Sequence, residues 1–415
     1  MNTTCPLRIL ILHRMGDPLQ WRSSVRELEL SLFEQRPEHT YIVHDVELSF
    51  PAFLKDMDYD GIVLGPTFLG VRRFPKLLKQ MKKEYSFVEQ SPAYKIALPQ
   101  DDYDCGAILD EWLTGWKIDE LVTVIDGYRD LLYPNYGKRG KIRLGYTGYV
   151  SDRWIEYWSA PAPFGSRKID VCYRSKRLPP NFGRIGVVKG IIGDLFKEGV
   201  GDTKLIMDIS TRMEDFIPGE KWNQFIGNSR SCLTANSGSS LFDPYGEIRR
   251  KVNEYVRDHK NAPFEEVERN CFPDEDGIHM MTALSPRNIE AALSETVQIA
   301  VRGKYSGILR EDRDYLPLND DASNAKEVEK MLSDDLFLKR ISSSAKEAVL
   351  SIDALRYGNH LDRIIDGITM HKRSDFSSQK HDEFVRLKNR YELFKPALGT
   401  MYWTAKRFAK RFCFA

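Results

Sequence analysis

The strongest constraint on this chain is its rhythm of short apolar runs separated by helix-spaced stretches. Residues 7–13 (LRILILH) form a continuous apolar run, the pattern of a strand buried on both faces. A polar loop follows, and residues 24–33 then carry apolar side chains at helical spacing. Residues 41–46, 60–65 (DGIVLG), 95–98 (KIAL) and 120–125 (ELVTVI) repeat the strand pattern. Strands separated by helices imply right-handed crossovers and a parallel sheet. Residues 133–141 (YPNYGKRGK) are rich in turn formers and charge and are expected to link this unit to the next.

A second alternating unit is expected to open with strands at 142–148 and 168–173 (KIDVCY). It continues through 204–209 (KLIMDI) and 231–235 (SCLTA), with a further strand near 305–309 (YSGIL). Helices are expected at 186–197, 246–257, 288–302, 325–332, 339–351 and 358–368. Two parallel units in one chain place ligands at the carboxyl ends of their strands. Facing each other, they make a cleft where two substrates meet away from water.

The 415 residues are enough for two such units. With 61 basic and 60 acidic residues the net charge is +1, which argues against a general nucleic-acid binder. Cys5, Cys105, Cys172, Cys232, Cys271 and Cys413 are scattered, poor spacing for zinc or for a disulfide scaffold. They read as reduced, mostly buried thiols. No segment approaches 18 uninterrupted apolar residues and no signal-peptide pattern opens the chain, so a cytoplasmic protein is expected.

The chemistry concentrates in residues 285–309 (SPRNIEAALSETVQIAVRGKYSGIL). Ser285 fits an N-cap and Pro286 the first helical turn. Arg287 and Glu290, three apart, share a helical face near an N-terminus, where phosphate is favoured. Arg287 would pair with phosphate and Glu290 would accept from ribose hydroxyls. The same spacing is that of an exposed ion pair on a helix surface, and the residues alone leave both readings open.

This segment resembles the donor-site motif of GT-B glycosyltransferases of the group 1 families. It is most similar to the spore-maturation CgeB-like branch, with its S-P-R-x-x-E-A loop and Y-x-G-I-L strand. Glu290 matches the later of two family glutamates, which binds the ribose; the earlier falls at Thr282, which is not acidic. Residues 95–102 (KIALPQDD), 222–246 (W-N-Q-F, then SGSSLFDPYG), 314–317 (DYLP) and 319–324 (NDDASN) resemble other family elements in the same order, with Asp314 in place of a histidine. The resemblance covers about residues 7–370. It implies an Arg and a Lys that neutralise the diphosphate leaving group, assigned to Arg174 and Lys189, with Arg177 the rival of Arg174. Cations in this role answer the negative charge that builds on the departing group.

Ser237 and Gly238 would present hydroxyl and backbone N–H groups to phosphate or sugar, or form an ordinary turn; Asp243 would accept from a sugar hydroxyl or serve a turn. In the first unit Asp101, Asp102 and His13 end strands, and a group there would orient or deprotonate the acceptor hydroxyl. Structural roles for the three stay open. No spaced acidic pair marks a metal site, so neither metal nor cofactor is expected beyond the donor itself. The tail, 394–415, is basic with a helical apolar face including Phe408 and Phe412. It would either cross back onto the first unit or lie on an anionic membrane.

The expected fold is therefore α/β of GT-B type: two Rossmann-like domains facing a central cleft, with C-terminal helices. Residues 1–136 would form the acceptor domain, 137–370 the nucleotide-sugar donor domain and 371–415 the C-terminal helices. The expected activity is a metal-independent, hexosyltransferase-like transfer of sugar from a nucleoside-diphosphate sugar to a hydroxyl of a glycan or lipid-linked acceptor. Retention or inversion at the anomeric carbon is not readable from the residues, and the group 1 resemblance tilts toward retention. The alternatives are a non-catalytic nucleotide- or glycan-binding GT-B-like protein and a sugar-nucleotide epimerase.

Overall fold

The computed structural model describes residues 6–372 and 378–413, of which 378 and 408–413 as backbone alone. Six strands form the first sheet: β1 (Arg8–His13), β2 (Thr40–Asp45), β3 (Gly61–Leu64), β4 (Tyr94–Ala97), β5 (Glu120–Thr123) and β6 (Lys141–Leu144). Every pair is parallel and the order is β2-β1-β3-β4-β5-β6. Alternation along the strands divides the core. Leu10, Leu12, Ile62 and Leu64 face one layer of helices, and Ile9, Ile11, Val63 and Ile96 face the other. Gly61 admits that second layer, because a Cβ there would lie 2.5 Å from Ile368 on the helix Tyr357–His371.

The second sheet holds β7 (Ile169–Arg174), β8 (Met207–Ser210), β9 (Ser229–Thr234), β12 (Val297–Val301) and β13 (Leu316–Leu318), all parallel, in the order β13-β12-β9-β7-β8. A short antiparallel pair, β10 (Ser237–Ser239) with β11 (Met281–Ala283), stands beside it. Counted within its own unit, each large sheet runs 2-1-3-4-5, and the first adds a sixth strand. This is the two-domain Rossmann-like arrangement that the GT-B resemblance implies.

Four expectations need correction. Residues 142–148 belong to the first sheet, since β6 pairs with β5 from Glu120↔Lys141 to Thr123↔Leu144. The presumed linker at 133–141 is anchored in the first unit, with Tyr133 and Tyr136 buried and Asp110 accepting from the Tyr136 N–H at 2.8 Å. The chain therefore leaves the first unit after Leu144. It returns beside itself, with Val150 N–H donating to Leu355 O (2.8 Å) and Tyr357 N–H to Val150 O (3.0 Å).

The third correction concerns the helix expected over 288–302. It stops at Leu293, and β12 follows. Glu295 has φ +50, Glu295 N–H donates to Ala292 O and Thr296 N–H to Ala291 O, which is a Schellman ending. Fourth, residues 305–307 are a turn and not a strand, with positive φ at Tyr305, Ser306 and Gly307.

The last helix, Ser378–Cys413, crosses the first unit. His44 on β2 shares hydrogen bonds of 2.7 Å with the hydroxyls of Tyr391 and Tyr85. Lys395 donates to Val43 O, Lys406 pairs with Glu47 at 2.7 Å and Arg407 with Asp17 at 3.4 Å. Trp403 is buried against Gly16. Leu393, Phe394, Leu398 and Met401 are exposed on this helix. The side chains of Phe408, Lys410, Arg411 and Phe412, to which the tail expectation extended, lie outside the described residues. No helix among the described residues is long and apolar enough to cross a membrane.

Candidate active site between the two units

In a sheet of order 2-1-3, neighbouring connections leave the first and third strands in opposite directions, and a crevice opens at their carboxyl ends. Both sheets have this switch point, between β1 and β3 and between β7 and β9. A cavity of about 670 Å³ lies there. The segment after β1 supplies Trp21 and Arg22, and the segments after β7 and β9 supply Lys176 and Ser237.

One wall is the start of the helix Pro286–Leu293. Pro286 occupies its first position, and Ser285 and Asn288 form a reciprocal cap, with the Ser285 N–H donating to Asn288 Oδ1 at 3.0 Å. Asn288 also donates to Gln298 on β12 at 2.8 Å, so the helix start is tied to the sheet. Free N–H groups and the helix dipole make such an end favourable to anions. Arg287 lies over the rings of Tyr173 (5.1 Å) and Trp222 (5.3 Å) and donates to Arg174 O. Its buried Nε finds no partner among the described residues. One turn on, Glu290 Oε2 accepts from the Trp222 indole at 2.7 Å. Burial pushes the Glu290 carboxyl up, against the pull of Trp222 and Arg287.

Cations face this helix end. Lys189, on the helix Gly183–Val200, donates to Ser237 Oγ at 3.1 Å. Burial, with Arg287 next in weight, pushes the Lys189 ammonium down to about 8. Lys176 is pushed down by burial and by Arg22. Positive groups that depress one another in this way fit a site for a polyanion, which would restore their charge.

The donor-side candidates therefore converge: Arg174, Lys189, Ser237, Ser285, Arg287 and Glu290 all line the cavity. Gly238 does not line it. Its φ is +130 and a Cβ would lie 2.0 Å from Met281 O, so it serves the close β10–β11 pairing. Arg174 lines the cavity with a committed guanidinium, bonded to Asp208 Oδ1 (2.7 Å) and to the carbonyls of Asp208, Tyr173 and Asp215. Arg177 is exposed and pairs with Asp194. Thr282 sits in β11 opposite Gly238. Asp314 is fully buried, holding Arg310 and Ser344.

No known family profile matches this sequence, and no curated protein does either. Among solved structures, the chain is similar to a DNA-modifying β-glucosyltransferase described with and without uridine diphosphoglucose (TM-score 0.49, 11% identity, 88% of this chain and 100% of that one). It is also similar to a glycosyltransferase from Rickettsia africae (TM-score 0.43, 12% identity, 89% and 99% covered). A third is HepE of Anabaena in complex with UDP-glucose (TM-score 0.41, 11% identity, 88% and 100% covered). At these levels none of the likenesses assigns a role to a residue of this chain, and the roles below come from its own geometry.

None of the first-unit candidates lines the cavity, although the charge of Asp101 reaches Lys176 and Lys189. His13 is buried, 4.0 Å from Asp45 and accepting from Met15 N–H at 3.3 Å. Burial and Lys395 push its imidazole down to about 3, too weak a base for the expected role. Asp102 is fully buried and accepts from the hydroxyls of Thr123 and Tyr133. Burial pushes Asp101 up, but Arg73, Tyr103 and Arg72 outweigh it and leave the carboxyl below its usual range.

Arg72 is the reason for this loop. Fully buried, it donates to the carbonyls of Leu69, Gln100, Asp101 and Asp104. Asp104 in turn pairs with Arg249 of the second unit, and Cys105 N–H donates to Asp243 O at 2.8 Å. Residues 100–105 and Asp243 thus form a seam between the units. Cys105, Cys172, Cys232 and Cys271 are buried free thiols.

The first unit reaches the cavity instead through the start of the helix Ser23–Gln35, with Glu27 its acidic residue there. Sequence reasoning passed over Glu27 because it stands in a charged, surface-like stretch (RELEL). The nearest signal was its place one turn into the first helix after β1, on the switch-point side. Trp222 stood within a quoted motif and Lys176 between Arg174 and Arg177, but neither was given a role. No group of three or more His, Cys, Asp or Glu that could hold a metal occurs among the described residues.

Proposed function

We propose that this chain is a glycosyltransferase that takes its sugar from a nucleoside-diphosphate donor and passes it to a hydroxyl acceptor. The observation that carries this reading is the meeting of Lys189, Arg287 and Glu290 at one helix end, in a cavity walled by both units. The diphosphate would lie against the capped start of Pro286–Leu293, between Lys189 and the Arg287 guanidinium. The Glu290 carboxylate keeps an oxygen for the ribose hydroxyls while Trp222 holds the other. As the bond to the sugar breaks, charge on the departing diphosphate is met by side-chain cations already in place. Arg174 braces the Arg287 side of the pocket through its carbonyl and is a framework residue in this reading.

The finer placement in the CgeB-like branch rests on the motif resemblance, chiefly residues 285–309. Peripheral membrane contact of 394–415 has the exposed Phe394, Leu398 and Met401 in its support, although Lys395, Lys406 and Arg407 are engaged with the first unit.

The test is a melting-temperature screen with UDP, GDP, ADP and CMP and their sugars. At 100 times Kd a bound ligand adds about 2.7 kcal/mol to stability, so a cognate diphosphate stands out. Glu290→Gln is expected to weaken that nucleotide about 10–100-fold, the worth of hydrogen bonds to a charged group, while the ligand-free melting temperature holds. A full screen without a shift, or an unchanged shift in Glu290→Gln, would count against the site.

A further inference from the structure

Two half-buried carboxylates enter the cavity from opposite units, and only Glu290 has a part in donor binding. The other, Glu27, is held across the unit boundary. The Trp154 indole N–H points at it, 3.2 Å from Oε1 and 3.5 Å from Oε2. The groups facing it are Arg26 on its own helix, Arg153 beside Trp154, Glu290 on the donor helix and Tyr357 on the returning helix. Burial pushes the Glu27 carboxyl up and Glu290 adds to this, against Trp154, Arg153 and Arg26.

Resting on the donor-site reading above, we propose that Glu27 is the general base that takes the proton of the attacking hydroxyl, with Trp154 as its positioning residue. The leaving diphosphate is held by the second unit, and the carboxylate reaches the same cavity from the first. The acceptor O–H proton passes to Glu27. The acceptor oxygen forms its bond to the anomeric carbon as the bond from that carbon to the phosphate oxygen breaks. The electron pair of the broken bond leaves on the diphosphate, beside Lys189 and Arg287. This single displacement inverts the anomeric carbon, a departure from the retention toward which the group 1 resemblance tilts. A carboxyl that burial pushes upward, against an N–H donor and two cations, is a stronger base than a free carboxylate, which suits it to proton transfer. The indole N–H reaches both carboxylate oxygens and holds the group in place, so Trp154 acts through Glu27 and need not touch substrate.

The experiment uses the full chain and whichever of UDP-glucose, GDP-mannose or ADP-glucose stabilises it, with water as acceptor. Nucleoside diphosphate release is followed from pH 5 to 9, and the first-formed sugar anomer is read by NMR. Glu27→Gln keeps an oxygen for the Trp154 N–H, so the cross-unit contact survives while the base is lost. The expected result is donor affinity within about twofold of the parent, release slowed about 100-fold or more, and loss of the acidic limb of the pH–rate profile. Trp154→Phe should slow release less and move that limb upward, because the carboxylate loses its donor. The parent should release an inverted anomer first.

Wild-type rate and limb in Glu27→Gln, a retained anomer, or a parent that binds donor without releasing diphosphate would each overturn the proposal. Failure of the parent to bind any of the three donors would strike the donor-site reading itself, and this proposal with it.

Discussion

Replacing Lys189 by methionine should separate what this side chain does for ligand from what it does to the fold. Burial and Arg287 lower the ammonium from 10.5 to about 8. At 1.36 kcal/mol per unit, the folded protein at neutral pH carries a penalty of about 3 kcal/mol as an upper bound. Water entering the cavity screens the charge, and halving the figure is a fair discount. Methionine removes this penalty but forfeits the 3.1 Å bond to Ser237, worth about 1 kcal/mol. The net expectation is a gain near 0.5 kcal/mol, so the ligand-free melting temperature holds or rises by about 1 °C. Diphosphate binding, in contrast, loses a charge-assisted contact of about 1.5–3 kcal/mol and should weaken roughly 10–100-fold.

Because the folded pKa lies below the unfolded one, the ammonium is charged in both states below pH 8 and the full penalty applies there. Between pH 8 and 10.5 the folded side chain loses its proton first, the parent is relieved, and its difference from Lys189→Met should shrink. Thermal melts across this range and calorimetric titration with the best-binding diphosphate check both halves. A variant that melts several degrees lower without ligand, yet binds diphosphate as tightly as the parent, would refute the reasoning.

Two further outcomes follow from the same physics. Above pH 8 the binding of diphosphate should draw a proton onto Lys189, so affinity should fall with rising pH; calorimetry in two buffers of different ionisation enthalpy would show the uptake. Asp102→Asn should cost about 1–3 kcal/mol of stability, because the Thr123 and Tyr133 hydroxyls lose their charged partner, while leaving nucleotide affinity unchanged in titration.

The strands of the first unit were legible because β1, β3 and β4 are buried on both faces and leave no polar alternation to misread. β6 was read as a strand but assigned to the second unit, since its Lys141 and Arg143 reach over to Glu120 on β5, a cross-strand pairing no local pattern announces. The end of the helix at Leu293 was hidden because its left-handed position is filled by Glu295 in place of the usual glycine, so S-E-T-V-Q-I-A-V continued the helical spacing. At the site, Arg287 and Glu290 were singled out by their place at a helix start and Lys189 through the family resemblance, and the fold brings the three to one cavity. Asp101 and Asp102 obeyed the same rule yet serve the seam built on Arg72, since position at a strand end does not reveal which way a side chain is pulled. Glu27 was missed because its partner Trp154 lies 127 residues away.

The central claim is one diphosphate pocket formed by Lys189, Arg287 and the start of the helix Pro286–Leu293. A crystal structure with the nucleoside diphosphate that binds best would test it most directly. The expected density places the phosphates within hydrogen-bond reach of Lys189 Nζ and Arg287, with the ribose on Glu290. A nucleotide seated outside the cavity, or within it with its phosphates turned from Lys189 and Arg287, would contradict the account.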